Sequence, residues 1–213
     1  MNLYKNKINS DVFNKLESFI EDNHDEGSVF TFYQGGKQTH VLDQLRSIFK
    51  EVPEIYNLLK QESYIVTRKA NAETLKAAYA PHFDNYESTI LVPIRVPNSD
   101  FNGDIVLWEK ARRYPSNVYF HLFTKILFQN KLVNWLLVKT YLYNNNFKRY
   151  RIEPSQFVIF DGFVDLHFNL HIDKAERVSL LIHNHKKFDD SFIVRLLEGY
   201  SKYWASKFNK VKR

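Results

Sequence analysis

The chemistry open to this chain starts from its histidines and carboxylates, because its 213 residues include no cysteine. Disulfides, thiolate metal sites and cysteine nucleophiles are excluded, so a bound transition metal must rest on imidazole and carboxylate. His82-Phe83-Asp84 offers one of each. In an extended segment side chains alternate, so residues two apart point to the same side and would converge on one divalent ion. A third imidazole from a distant strand would complete a facial set of two histidines and one carboxylate. Such a set leaves positions open for substrates and oxygen, as non-haem iron oxygenation requires. Three residues alone match by chance, so the pattern needs a partner elsewhere. His167 and His171 could each lie on the same face of an extended strand and supply it.

A chain of this length, 44% hydrophobic and 16% aromatic, can bury one full-sized core, and a single domain over residues 1–213 is expected. With only six Gly and six Pro and a quarter of the residues charged, it is neither disordered nor fibrous in type. The first residues, MNLYKNKINSDVF, are interrupted by Lys5, Lys7, Asn9 and Asp11 and hold no apolar run long enough for a signal peptide or a membrane span, so a cytoplasmic protein is expected. The net charge of +6 is unevenly spread: Lys110 to Arg151 carries nine Lys or Arg and no acid, leaving 21 basic against 24 acidic residues elsewhere.

Helical spacing of Phe13, Leu16, Phe19 and Ile20 predicts a first helix with Ser10 as N-cap, and Val41, Leu42, Leu45, Ile48 and Phe49 predict a second, broken at Pro53 and resumed over 55–59. Residues 1–62 thus form an N-terminal helical support. From Ser63 the period shortens. Strands are predicted at 64–66, 75–79, 88–96 and 104–108, with a hairpin connection at 98–103, and again at 156–160, 164–170 and 177–183. Residues 110–151 read as a basic, aromatic insertion, helical at its centre, and 191–203 as a closing helix before a basic tail. Helices followed by many short strands predict an α+β protein whose strands form a sandwich or barrel.

Four stretches give the sequence a family likeness. Tyr79-Ala80-Pro81-His82-Phe83-Asp84, Asn102-Gly103-Asp104-Ile105-Val106-Leu107, Phe157 to Asp161 leading into Leu166-His167, and Arg177-Val178-Ser179 follow one another in order. Together they resemble the iron(II)/2-oxoglutarate-dependent oxygenases, in particular the prolyl-hydroxylase-like branch. The resemblance spans 79–182 apart from the insertion, and departs from the pattern where Asn102 replaces a glycine and where the insertion stretches the distance between ligands.

This resemblance implies an α+β fold with a double-stranded β-helix (jelly-roll) core, N-terminal helices and a helical insertion. It implies iron(II) held by His82, Asp84 and His167, with 2-oxoglutarate as cosubstrate and ascorbate as an accessory reductant. His167 is preferred to His171 because it stands ten residues before Arg177. Arg177 and Ser179 are implied to hold the far carboxylate of 2-oxoglutarate, roles that a planar charged fork and a hydroxyl on the same strand face suit chemically. The plainer reading pairs Arg177 with Asp161 or Asp165, or turns it to solvent. Related halogenases lack the carboxylate ligand, so Asp84 implies hydroxylation or another oxidation. Tyr86 and Arg95 are candidate substrate contacts near the mouth. His183 and His185 run into Lys186-Lys187 and read as solvated strand-end residues, and His24, His40 and His121 have no ligand spacing.

The insertion has two readings. Its helices either pack on the barrel with Lys125, Lys131 and Lys139 in water, or form an interfacial element suited to an anionic membrane, at the inner face of which the protein would then work. It is too apolar between its charges to favour nucleic acid. On the membrane reading the substrate is a lipid-linked or lipopolysaccharide sugar, resembling the case of the Kdo-sugar hydroxylases. A small molecule, amino acid or peptidyl residue is the alternative. A zinc hydrolase and a non-enzymatic jelly-roll binding module are the other classes compatible with two histidines and one aspartate.

Overall fold

Short strands form two antiparallel sheets in a computed structural model that describes residues 3–24, 30–33, 35–60, 62–70, 80–99, 103–141, 143–172 and 176–186. The strands are β1 (Tyr4–Lys7), β2 (Phe30–Tyr33), β3 (Tyr64–Ala70), β4 (Tyr86–Arg95), β5 (Ile105–Trp108), β6 (Phe147–Tyr150), β7 (Gln156–Phe160), β8 (Leu166–Asn169) and β9 (Arg177–Lys186). The helices are α1 (Ser10–Asn23), α2 (Gly35–Ile48), α3 (Pro53–Tyr56), α4 (Val118–Gln129) and α5 (Lys131–Thr140). The larger sheet runs β1-β7-β4-β9-β3-β2 and the smaller β6-β5-β8.

Strand alternation sorts the large sheet's side chains into two layers. Ile90, Val92 and Ile94 of β4, Phe157 and Ile159 of β7, and Val178, Leu180 and Ile182 of β9 join Leu16 and Ile20 of α1 and Leu42 and Leu45 of α2 in one buried cluster. Residues of the other parity, Leu91, Val158 and Phe160, meet Ile105 and Leu107 of the small sheet. The two sheets therefore face each other, with helices covering the far side of the larger one. On the far side of the small sheet, Val106, Leu166 and Phe168 are covered by Phe128, Leu137 and Tyr141 from α4, α5 and the turn that follows. The mixed architecture of helices and antiparallel sheets is the one expected.

Several elements depart from the sequence reading. Asn9, not Ser10, caps α1: its backbone is extended and its side chain accepts a hydrogen bond from the Val12 N–H at 2.8 Å, making Ser10 the first helical residue. β1 has no apolar alternation and all four residues are exposed, yet it pairs in register with β7 along one edge of the large sheet. Its two lysines suit an edge strand. The 110–151 segment is not wholly an insertion, because its last strand, β6, pairs along β5 from Ile105–Tyr150 to Trp108–Phe147. The expected strand at 75–79, the helix at 191–203 and the basic tail lie outside the described residues.

Leu180 is fully buried between the large sheet and the N-terminal helices. Leu180→Ala is expected to cost about 2–5 kcal/mol through lost transfer energy and a residual cavity. The change should appear as a lower urea midpoint at unchanged slope.

Candidate active site

His82 and Asp84 lie just before β4, and His167 is the second residue of β8. Mutual backbone hydrogen bonds join the two segments, His82 N–H to His167 O at 3.0 Å and His167 N–H to His82 O at 3.1 Å. Phe83 points the other way and is fully buried. It meets Phe128 of α4 edge-on at 5.2 Å, with the Arg112 guanidinium 3.9 Å from its ring centre. This anchoring leaves both neighbours of Phe83 turned to the opposite side. His82 Nε2 stands 3.8 Å from Asp84 Oδ1, and His167 Nε2 stands 3.6 Å from Asp84 Oδ2. One ligand atom from each of the three lies within 4.8 Å of the others.

The donor set is prepared for a cation. His82 Nδ1 is 2.8 Å from the Ala80 carbonyl and His167 Nδ1 is 3.1 Å from the Asp165 carbonyl. With Nδ1–H donating to the backbone, each neutral ring presents an Nε2 lone pair, the tautomer a metal ligand needs. The His82 side chain is 39% exposed, and desolvation of its ring together with the neighbouring His167 pushes its pKa down to about 4. Burial alone would raise the Asp84 carboxyl. Instead His167, His183 and His82, with a 2.7 Å hydrogen bond from Thr89 Oγ1, hold it well below the usual carboxylate range. These groups fit a divalent metal.

The other end of the same cavity, about 150 Å³, is cationic. Arg177 and Ser179 share a face of β9, and Arg177 Nε donates to Ser179 Oγ at 3.3 Å. Arg68 on β3 is the cross-strand partner of Ser179 and lines the same cavity. Desolvation pushes Arg177 and Arg68 each down to about 10, and Arg177 is lowered further by its proximity to Arg68. Asp104 acts in the opposite sense on Arg177, raising it, and itself pairs with Arg149 at 2.6 Å. Asp161 accepts from Tyr114, and Asp165 accepts from the Lys110 and Asp161 N–H groups. Gly103 has φ +77°, and a Cβ there would stand 2.8 Å from Arg177 Nη1, so its lack of a side chain leaves the guanidinium its place.

His82, Asp84 and His167 thus come together, and Arg177 and Ser179 line the same cavity. His171 takes no part among the described residues: its carbonyl receives the Gly103 N–H at 3.1 Å, and the metal-ligand group includes His167 instead. Arg95 is corrected. It turns to α1, where it pairs with Glu17 and Glu21, so it is not at the mouth. His183 is corrected as well, since it faces the cavity with Nδ1 3.0 Å from Thr89 Oγ1 and 3.8 Å from Asp84 Oδ2. Tyr86 stacks on the His183 ring at 4.8 Å. The side chain of His185 lies outside the described residues, as do Tyr79 and Asn102.

Arg68 is the residue that sequence reasoning missed. Its signal was a charge at the strand parity of the buried Val66 and Ala70. His183 shared parity with Arg177, which was the better guide than its lysine neighbours.

No family model matches the sequence, and no curated protein matches it. Solved structures match in shape. HygX from Streptomyces hygroscopicus, with nickel and 2-oxoglutarate bound, aligns at a TM-score of 0.54 and 9% identity over 87% of this chain and 83% of that one. The same protein with hygromycin B also bound gives 0.50 at 11% identity, over the same shares of the two chains. The fold is that of the iron(II)/2-oxoglutarate-dependent oxygenases. A Pseudomonas putida prolyl-4-hydroxylase aligns at 0.48 and 11% identity, over 87% of this chain and 88% of that one. At such identities the likeness to HygX is one of fold, so the residues of this oxygenase fold must speak for themselves.

Gly162 offers a direct check on Asp84. Its carbonyl accepts the Asp84 N–H at 2.7 Å, and a Cβ at Gly162 would stand 2.5 Å from Asp84 Oδ2 and 2.8 Å from Thr89 Oγ1. Gly162→Ala must displace the carboxylate or its hydroxyl support. Nickel(II) affinity is expected to fall roughly 10–100-fold, the usual effect of disturbing a ligand's supporting shell, while unfolding stays cooperative. Titration calorimetry reads it, and unchanged affinity would count against Asp84 as a ligand.

Proposed function

We propose that the protein is an iron(II)/2-oxoglutarate-dependent oxygenase that hydroxylates an organic substrate on a double-stranded β-helix core. The observation that carries this reading is the bipolar cavity, with two imidazoles and a carboxylate converging at one end and the buried Arg177, the partly buried Arg68 and a serine hydroxyl at the other. A zinc hydrolase would use the first end but has no use for the second. A dicarboxylate with a keto group beside one carboxylate suits both.

In this reading His82, Asp84 and His167 would hold the metal at one end of the cavity. Arg177, Arg68 and Ser179 bind the far carboxylate by charge-assisted hydrogen bonds, fixing which end of the cosubstrate reaches the metal. Thr89 and Gly162 hold Asp84 in place, and Phe83 keeps its neighbours aimed inward. Iron and 2-oxoglutarate bound there supply the oxidation: one oxygen atom of dioxygen enters the substrate as hydroxyl, the other enters succinate, and carbon dioxide leaves. The apolar Leu91, Ile105 and Leu181 on the cavity wall limit water.

Tyr86, stacked on the cavity-lining His183, would meet the substrate. Asn85 Oδ1 accepts from Lys125 Nζ of α4 at 2.8 Å, so the helical segment reaches the residue next to Asp84. That segment favours a lipid-linked or lipopolysaccharide sugar, with a smaller molecule, amino acid or peptidyl residue as the alternative.

Anaerobic addition of iron(II) and 2-oxoglutarate to the protein is expected to produce the visible charge-transfer band of the chelate, and succinate is expected to form only once oxygen is admitted. Asp84→Ala should abolish substrate oxidation. A well-folded, metal-loaded protein with no band would direct attention to hydrolysis or to binding without turnover.

Arg177→Ala and Arg68→Ala should each weaken 2-oxoglutarate binding by roughly 30-fold or more, the scale of about 2 kcal/mol or above for losing one partner of a buried charged hydrogen bond. Metal affinity measured without 2-oxoglutarate should hold. An Arg68→Ala variant with unaltered 2-oxoglutarate affinity would remove Arg68 from this role.

A further inference from the structure

Among the described residues the α4–α5 pair packs on the small sheet through one side. Phe128, Leu137 and Tyr141 form that inner contact, so the opposite faces of both helices point away from the small sheet. There the side chains are strongly apolar: Phe123 is 63% exposed, Ile126 69%, Leu132 64% and Trp135 52%, with Tyr119 and Leu136 beside them. Monomeric soluble proteins seldom leave such a contiguous apolar face open, and one marks a place where something docks.

Charge selects the occupant. The only formally charged side chains of the two helices are Lys125, Lys131 and Lys139, within a segment of nine basic and no acidic residues from Lys110 to Arg151. Lys139 Nζ sits 4.1 Å from the ring centre of the half-exposed Trp135, a cation held at the level of an aromatic ring. A second copy laid on this face would bring like charges together, which costs association. An acidic lipid surface answers both the apolar side chains and the lysines. No described helix is long and apolar enough to cross a membrane, so contact would be from one side.

We propose that the α4–α5 pair is a docking surface for an anionic membrane, its apolar faces entering the boundary between headgroups and acyl chains and the exposed Lys139, held over Trp135, meeting lipid phosphates. Lys125 is hydrogen-bonded to Asn85, next to Asp84, so docking sets the mouth of the cavity beside the lipid surface. The inference concerns the surface and needs neither metal nor cosubstrate, so it stands or falls apart from the oxygenase reading.

The test is co-sedimentation of the full chain with vesicles of phosphatidylcholine mixed with phosphatidylglycerol, against vesicles of phosphatidylcholine alone, at low and high salt. Binding to the mixed vesicles at low salt, reduced by salt and by omission of the anionic lipid, is expected. Phe123→Asp combined with Ile126→Asp should lower it at least about ten-fold, as should Leu132→Asp combined with Trp135→Asp, since each pair removes buried apolar area and adds repelling charge. Circular dichroism and nickel(II) affinity report that these variants remain folded. Folded wild-type protein that stays in the supernatant at low salt overturns the proposal, and so does undiminished binding by both paired variants. A wild-type dimer in sedimentation velocity that either pair makes monomeric also overturns it, assigning the face to a second copy.

Discussion

Two backbone hydrogen bonds between His82 and His167 hold together residues 85 positions apart, and the convergence of His82, Asp84 and His167 depends on them. They place the segment before β4 across the end of β8, so that two imidazoles and a carboxylate from two remote stretches face one point. Phe83 completes the arrangement from behind. Its burial against Phe128 and Arg112 fixes the alternation of the segment, and the outward-facing side chain thereby determines where the two inward-facing ones aim.

The cavity between the sheets separates charge. Asp84 stays ionised because three imidazoles and a hydroxyl offset its desolvation, while Arg68 and Arg177 at the opposite end lie diagonally on the neighbouring strands β3 and β9. Taking charge out of water is costly, and a metal at one end and a carboxylate at the other would offset part of that cost. The same separation explains two glycines. Gly162 leaves room for the Asp84 carboxylate and Gly103 for the Arg177 guanidinium, so the backbone approaches each charged group where any side chain would collide.

The helical pair after β5 belongs to the structure of the site as well as to the surface. It roofs the small sheet with Phe128 and Leu137, supports Phe83, and extends Lys125 to Asn85. β6 then returns the chain to the edge of β5. One stretch of sequence therefore supplies a sheet strand, the backing of two metal ligands and an exposed apolar face.

The sequence by itself determined the local chemistry: alternation puts His82 beside Asp84 and Arg177 beside Ser179 on common faces, and helical spacing marks α1, α2 and the basic hairpin. Only the tertiary structure decided between His167 and His171, turned Arg95 toward α1, drew His183 against Thr89 and Asp84, and set Arg68 opposite Ser179. β1 was illegible because its four residues are exposed and show no apolar alternation, and β6 because its basic residues masked a strand. The physical reason is common to all of these. Periodicity is a property of one element and survives in the sequence, whereas the register between strands far apart in the chain arises only when their faces pack, and that register decides which side chains meet.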